Sequence, residues 1–499
     1  MSALGNIFKL GRIIHADAYF GITGDGVTDD RAGMLNALFE VAERGGVLVI
    51  PPNFNIALSA ALTLTGFSGT KRPFAIVGHG QSSVLSRLNG CGTVVNLRTC
   101  PEGVVVRDLR LEVHASTRPT NANLGIVIGG SSHALVQNVV VNDPRAGGVA
   151  IFSESGSGEG PIEGCLIDNV KVYGNASGSN IGVDVAILIA GQQVSRSGIT
   201  NCQVYGGGRD VALSPGIGIE LKFSGPGCWI DNCYAEDYIQ GFGFAGSAID
   251  GYCYDARISN VYAKNCSVGF NGGWLENSTV SGLVIDMANQ TSGVFEPIQI
   301  SRSGNVYKGV IIKNAGMTTK YHARFIGDAA NNVVDIDLID NANSASYVAS
   351  FESTTANNRV TVRRMANPTV SVLTAANVIQ DNTSGKTNTV DIDGLPVVVE
   401  RTIASGAVTC DKRADHNIIL DTEGGAASDD LDTISGARAG QIVRLRTTAN
   451  ARDVVVKHGT GNIELVGAAD FTLDMANSCL LLMYHANTSK WCEIARADL

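Results

Sequence analysis

Ile167-Asp-Asn169, Ile199-Thr-Asn201 and Ile230-Asp-Asn232 decide the fold, because one apolar-x-Asn pattern returns in them at a nearly constant interval. Working outward, Val136-Gln-Asn138 precedes them and Ile258-Ser-Asn260 follows, so the asparagines stand 31, 32, 31 and 28 residues apart. A second run begins downstream at Asn305-Val-Tyr and continues at Asn332, Asn358 and Asn388, spaced 27, 26 and 30 residues. Phe325 and Phe351 each stand seven residues before the asparagine of their own repeat. Periods of this length, with short β-branched segments in each, are those of a parallel β-helix. Its coils stack about 4.8 Å apart, so equivalent positions line up in ladders. Asn suits a repeated turn because it tolerates the left-handed conformation and hydrogen-bonds locally. Cys202 and Cys233 occupy the position held by Val170 and Val261, which reads as a core stack and not as catalytic thiols. A leucine period or a 3.6-residue period, which a leucine-rich or helical solenoid would need, is missing.

Composition agrees. The chain has 499 residues, 44% hydrophobic and 17% charged, with 59 glycines and 12 prolines. That is enough to bury a large core in many short strands joined by tight turns. A formal net charge of −10 gives no electrostatic footprint for nucleic acid or for an anionic membrane. No stretch approaches the roughly 18 apolar residues of a membrane-spanning helix, and Met1 to Arg12 lacks the apolar core of a signal peptide. The eleven cysteines are scattered without a CxxC pair, which argues against a zinc site and a disulfide framework. Reduced thiols in a chain made in the cytoplasm fit that spacing.

Near the N-terminus a helix is expected from about Asp29 to Arg44, with Thr28 as its N-cap. Gly45-Gly46 ends it, and Val47-Leu-Val-Ile-Pro-Pro52 reads as a strand that stops at the prolines. Such a helix would cover the apolar end of the solenoid. Asp25, Asp29 and Asp30 look like part of an EF-hand loop, but the 12-residue ligand pattern and its closing Glu are missing. They are read as turn and cap residues, and no metal or other cofactor is expected. Gly78-His-Gly80 is likewise a turn, because no helix pattern follows it.

The signature Phe20-Gly21…Gly24-Asp25-Gly26-Val27-Thr28-Asp29-Asp30, followed by helix, Gly-Gly and the Val-Ile-Pro-Pro strand, resembles the opening module of the pectate-lyase-like β-helix superfamily. That superfamily is common in bacteriophage tailspikes and in related polysaccharide-degrading proteins. The resemblance covers residues 15 to 90, and the coil repeats extend it to about residue 394. It departs from the family at Arg31-Ala-Gly-Met34, where a Thr and a less interrupted helix are usual. The resemblance implies a virion tail protein, made in the host cytoplasm, that binds and depolymerises bacterial surface polysaccharide. A glycoside hydrolase is the first expectation; a non-enzymatic glycan-binding adhesin or a polysaccharide lyase of the same fold are the alternatives.

The expected fold is therefore all-β: a right-handed parallel β-helix with an N-terminal capping helix and a small C-terminal antiparallel β-sandwich. Residues 1–15 are read as a segment for attachment to other virion tail proteins, 16–90 as cap and first coils, and 91–394 as β-helix. From 395 to 499 the segments Ile418-Ile-Leu420, Gln441-Ile-Val-Arg-Leu-Arg446, Asp453-Val-Val-Val-Lys457, Cys479-Leu-Leu-Leu-Met-Tyr484 and Trp491-Cys-Glu-Ile494 are short and closely spaced. That spacing suits a small sandwich. The ending is similar to terminal domains of phage tail fibres and spikes, which implies trimerisation or receptor binding. A homotrimer would also cover the last coil.

The chemistry is sought among carboxylates, since no Ser-His-Asp order, spaced histidine cluster or phosphate loop appears. A second aligned strand reads Gly148-Val-Ala-Ile, Gly182-Val-Asp-Val, Gly218-Ile-Glu-Leu, Gly241-Phe-Gly-Phe and Gly269-Phe-Asn-Gly. Alternation places Val183, Val185, Ile219, Leu221, Phe242 and Phe244 inward, and the glycines with the residues two places after them outward. In that register Asp184 and Glu220 stack on neighbouring coils about 5 Å apart. Two carboxylates so close drive one pKa upward and yield an acid and a base, the pair that glycoside hydrolysis requires. Lys222, Gly243, Asn271, Arg209, Trp229 and Tyr238 are the substrate-binding candidates, with the small glycines leaving a shallow groove. Asp210, Asp237, Asp250 and Asp255 lie in loops as reserves, and Tyr234, Tyr252 and Trp274 could stack on sugar rings or simply pack. A solvated carboxylate face, with Lys222 neutralising Glu220, is the competing structural reading.

Overall fold

A computed structural model of the chain describes residues 12–19, 21–65, 72–88, 93–100, 103–113, 124–144, 147–153, 161–174, 185–206, 216–246, 251–288, 296–314, 321–339, 347–366, 379–381, 388–392, 398–410, 417–475 and 478–497. The dominant feature is a parallel β-helix. One face is a 12-stranded parallel sheet that starts at Leu62–Leu64 and runs through Ile217–Ser224 to Ile379–Asp381. Two further faces hydrogen-bond as a single 22-stranded sheet. They are continuous because long strands bend through both: Leu135–Asn142 pairs first with Leu166–Asp168 and then with Lys171–Tyr173. One apolar core runs inside, from Ile14 to Val390.

The turn between the second and third faces explains the first asparagine run. Asn138, Asn169, Asn201, Asn232 and Asn260 all take positive φ, between 51° and 54°, the left-handed region that Asn enters more readily than other side chains. Asn169 and Asn232 each donate an amide N–H to the asparagine one coil back, at 2.8 Å. The column continues not into the second run but into Gly282 and Gly309, at φ 63° and 62°. Asn305, Asn332, Asn358 and Asn388 form a separate, buried column at the start of the second face. There Asn332 Oδ1 accepts the Asn305 backbone N–H at 2.9 Å, while Asn332 Nδ2 donates to Asn358 Oδ1 at 2.8 Å. Two different ladders thus share one letter.

Other repeats behave as read. Val170, Cys202, Cys233 and Val261 form one buried column of the core, and Phe325 pairs with Phe351 with ring centroids 4.7 Å apart. Ten cysteines among the described residues are free thiols.

The helix runs Arg31–Arg44, two residues shorter than expected, and its flanking residue is Asp30 and not Thr28. Met34, Leu38 and Val41 pack from it into the solenoid core. The Asp30 carboxylate accepts the backbone N–H groups of Thr23 and Gly24, and Asp25 accepts those of Val27 and Thr28. Both acids are therefore occupied in building the loop.

The C-terminal residues correct the expected antiparallel sandwich. Val398–Thr402, Asn417–Asp421 and Ile442–Thr447 pair in parallel, as do Ser428–Leu431 with Asp453–Val456 and Ala407–Thr409 with Thr433–Ser435. These are coil-like strands around a second core, from Ile403 to Trp491. Apart from a single antiparallel bridge at Ala404–Ala407, antiparallel pairing among the described strands comes later, where Ile442–Thr447 meets Cys479–His485, Cys479–His485 meets Lys490–Ala497, and Asp453–Val456 meets Phe471–Leu473. Short closely spaced strands serve either arrangement, which is why spacing did not separate them.

Candidate functional site

The site builds on the strand Ile217–Ser224. Ile219 and Leu221 enter the core, so alternation turns Glu220 and Lys222 to the outer side. Glu220 is nevertheless only 4% exposed. Burial pushes its carboxyl up to about 7, and the Lys222 ammonium nearby offsets only part of that. Such a carboxyl is half-protonated at neutrality, a condition suited to proton donation.

The register gives Glu220 its neighbours. Leu188 lies opposite it on the preceding coil and Gly243 on the next. The same outward column continues through Asn271, Gln299 and Arg324. It opens with Thr63 and Asn96, is apolar through Val127, Ala150 and Leu188, and carries polar side chains again from Glu220 onward, with Gly243 between. Arg324 is bound by Glu296 and Glu352, both at 2.7 Å, while Asn271 Oδ1 accepts the Gly273 N–H at 3.0 Å. Glu220, Lys222, Gly243 and Asn271 are thus brought together on one surface.

The place opposite Glu220 on the preceding coil, expected for Asp184, is held by Leu188, four residues along the chain. Ile187 lies beside Ile219, so Ala186 stands where Gly182 was expected and Leu188 where Asp184 was expected. Asp184 and Gly182, like Val183, Arg209, Asp210 and Asp250, lie outside the described residues. The expectation that the glycines face outward is also corrected. A Cβ at Gly218 would come within 2.9 Å of Ala235 Cβ, and one at Gly241 within 2.8 Å of Ala263 Cβ. These glycines admit the third face to the core and open no groove. Val185, expected inward, is half-buried and outside the core cluster.

Two aromatic candidates move as well. Tyr238 is 1% exposed and belongs to the core, so it offers no face to a sugar. Trp229 lies on the second face with its ring across Gly198, away from Glu220's sheet. A tyrosine ladder on the third face escaped the sequence reading: Tyr173, Tyr205, Tyr234 and Tyr262 stand 5.0, 5.5 and 5.4 Å apart by ring centroid. Their placement four residues after Asn169 and Asn201, and two after Asn232 and Asn260, was the available signal. Tyr234 donates to Glu236 at 2.6 Å and Tyr262 to Asp286 at 2.8 Å, while Lys264 and Lys313 bind the same carboxylates. Rings spent on each other and hydroxyls spent on carboxylates tie coils together.

At the end of Glu220's strand the chain turns toward the second face and leaves a cleft of about 520 Å³. Phe223, Tyr252 and Tyr254 line it beside Glu163 and Ser195. The Lys222 ammonium lies over the Phe223 ring, 5.1 Å from its centroid, linking cleft and carboxyl along one strand.

The chain matches no protein-family model and no curated protein sequence. Among solved structures it is similar to the A-module of a mannuronan C-5 epimerase from Azotobacter vinelandii, with a TM-score of 0.53 and 14% identity over 77% of this chain and 99% of that one. It is also similar to the pre-mature gene product 12 of bacteriophage phi29, with a TM-score of 0.55 and 13% identity over 91% of this chain. The chain spans 64% of the length of that phage protein. The tailspike of E. coli bacteriophage HK620 is a further neighbour, at a TM-score of 0.45 and 13% identity over 87% of this chain and 78% of that one. The likenesses to the epimerase module and gene product 12 are likenesses of fold, and they agree with the parallel β-helix expected from the coil repeats.

Proposed function

We propose that this protein binds a bacterial surface polysaccharide along the outer side of the 12-stranded face, and that Glu220 protonates a glycosidic oxygen there. The observation that carries the reading is a carboxyl raised to about 7 on an outward column of polar side chains. Coils rise about 4.8 Å each, so a sugar chain lying along the axis meets a new outward side chain at every coil. Before cleavage the Glu220 proton sits on the carboxyl; as the C–O bond breaks it moves to the leaving oxygen, a water oxygen bonds to the anomeric carbon and releases its proton to solvent, and Lys222 stabilises the Glu220 carboxylate that results. The fold likeness to an enzyme named for mannuronan and to a bacteriophage gene product supports a polysaccharide-active phage protein.

A second reading, a glycan-binding adhesin without cleavage, is favoured by one fact: Leu188, and not a carboxylate, stands opposite Glu220. Incubation with capsular or lipopolysaccharide glycan, followed by assay of new reducing ends, separates the two. Cleavage by the wild type that falls at least a hundredfold in Glu220→Gln supports the acid role. Cleavage at an unchanged rate in that variant overturns it, and retained binding without new ends establishes the adhesin.

A further inference from the structure

We infer that the corner cleft beside Phe223 is a separate recognition site for an uncharged pyranose chain. The inference rests on the glycan reading above but not on cleavage by Glu220. The cleft crosses five successive coils, from Ser132 through Glu163, Ser195 and Phe223 to Tyr254. At about 4.8 Å per coil it is roughly 19 Å long, the reach of a short oligosaccharide. Its base is apolar, with Ile162 and Val194 buried beneath it.

Three aromatic side chains border this strip, and two carry signs of deliberate placement. Phe223 holds φ at 54°, a region that a bulky side chain almost never enters without some compensating gain. Strain of this kind gathers at ligand sites. Here it holds Phe223 at the cleft rim, three residues from Glu220, in the last turn of the strand before Gly225. Tyr252 is fixed by a stack on Trp274, with centroids 5.5 Å apart and planes 16° from parallel. The Arg302 guanidinium lies 4.8 Å from the Tyr252 centroid and 4.3 Å from that of Trp274, and Asp328 anchors it at 2.7 Å. Tyr254, in contrast, stands 42% exposed at the rim.

The chemistry of the walls selects the ligand. Flat aromatic faces suit the C–H face of a pyranose ring, and the Ser195 hydroxyl and the Glu163 carboxylate suit its hydroxyl groups. Among the described residues that line the cleft none is cationic, and the nearby Arg196 is committed to Glu163 at 2.8 Å, so the lining does not favour a uronate or a sulfated sugar. The glycan therefore lies across the coils at the corner, with its neutral units in the cleft and its cleavable bond on the face carrying Glu220.

The test is equilibrium binding, followed by tryptophan fluorescence, of the full chain to a panel of bacterial surface glycans that includes neutral hexose polymers and uronate polymers. Wild type is expected to prefer the neutral polymers. Phe223→Gly and Tyr254→Ala are each expected to weaken that binding by about tenfold. Phe223→Gly also relieves the backbone, so its thermal midpoint is expected to stay level or rise while binding is lost, an outcome that a merely structural Phe223 does not produce. The assay reads binding and not new reducing ends, so a failure of the cleavage reading leaves this one standing. Preference for uronates, no binding to any neutral polymer, or unchanged affinity in Phe223→Gly each overturns the inference.

Discussion

Replacing Glu220 by Gln should change how stability depends on pH, and the size of the change follows from the site. The carboxyl moves from an ordinary value of 4.5 to about 7 on folding. Below 4.5 both folded and unfolded chains carry the proton, and the residue contributes its full stability. Between 4.5 and 7 the folded chain keeps a proton that the unfolded chain has lost, so stability falls as pH rises. Above about pH 8 the buried carboxylate is charged and the loss is complete, at about 3 kcal/mol for a shift of this size. Glutamine keeps the shape and never ionises. The difference in unfolding free energy between variant and wild type should therefore grow by about 3 kcal/mol in the variant's favour from pH 4 to pH 8. Urea titrations followed by tryptophan fluorescence at several pH values measure it, and all other titrating groups cancel in the difference. Lys222→Met should move the wild-type transition to higher pH, because it removes the cation that favours the charged form. Parallel stability curves for Glu220→Gln and wild type across this range would refute the reasoning, since Glu220 would then titrate as an ordinary surface acid.

Two further outcomes concern the core. Asn332→Ala leaves the Asn305 N–H without its partner and takes one of two donors from both the Arg302 carbonyl and Asn358 Oδ1; at about 1–3 kcal/mol for a buried group left unpaired, a loss of about 2–3 kcal/mol is expected in urea unfolding, and a loss below about 1 kcal/mol would count against the ladder. Burial raises the thiols of Cys202 and Cys253 and pushes Cys266 up to about 12, so alkylation of the native chain at pH 8, read by peptide mass, should mark the half-buried Cys479 and Cys492 first; early labelling of Cys266 would contradict its place in the core.

The solenoid was legible because its turn imposes a backbone requirement. A left-handed residue at the second-to-third-face corner of the coils from Asn138 to Gly309 admits few side chains, and Asn printed the period into the sequence. Where Gly282 and Gly309 take that corner, the signal vanished into a chain already rich in glycine, and the buried asparagines of the next column happened to continue the count. Ladder positions resting on shape were equally visible: Cys202, Cys233, Phe325 and Phe351 all fall where the repeat put them.

The site was less legible, for a reason of parity. Alternation fixes which face a side chain takes, but a slip of four residues keeps every side chain on its face. The run Val183-Asp-Val-Ala-Ile-Leu-Ile189 offers apolar residues at every odd position, so Gly182 and Ala186 were both acceptable partners for Gly218. Pairing selected Ala186, which sets Leu188 opposite Glu220 while Glu220 keeps its outward place. Phe223 could not be found at all, because nothing in a local sequence announces an aromatic residue at positive φ.

The buried asparagine column has a consequence for how such chains change length. Each asparagine between Asn305 and Asn388 receives a backbone N–H from the coil before it and passes its own on to the coil after. The link is identical at every step, so a whole coil is an interchangeable unit. Excising residues 332–357 would set Asn358 directly after the Asn305 coil with the ladder unbroken, and duplicating them would extend it. A gene encoding this protein can therefore gain or shed a coil by recombination between its repeats and keep this ladder, with the register shifts at Tyr307/Val310 and Ile336/Asp337 left to be matched anew.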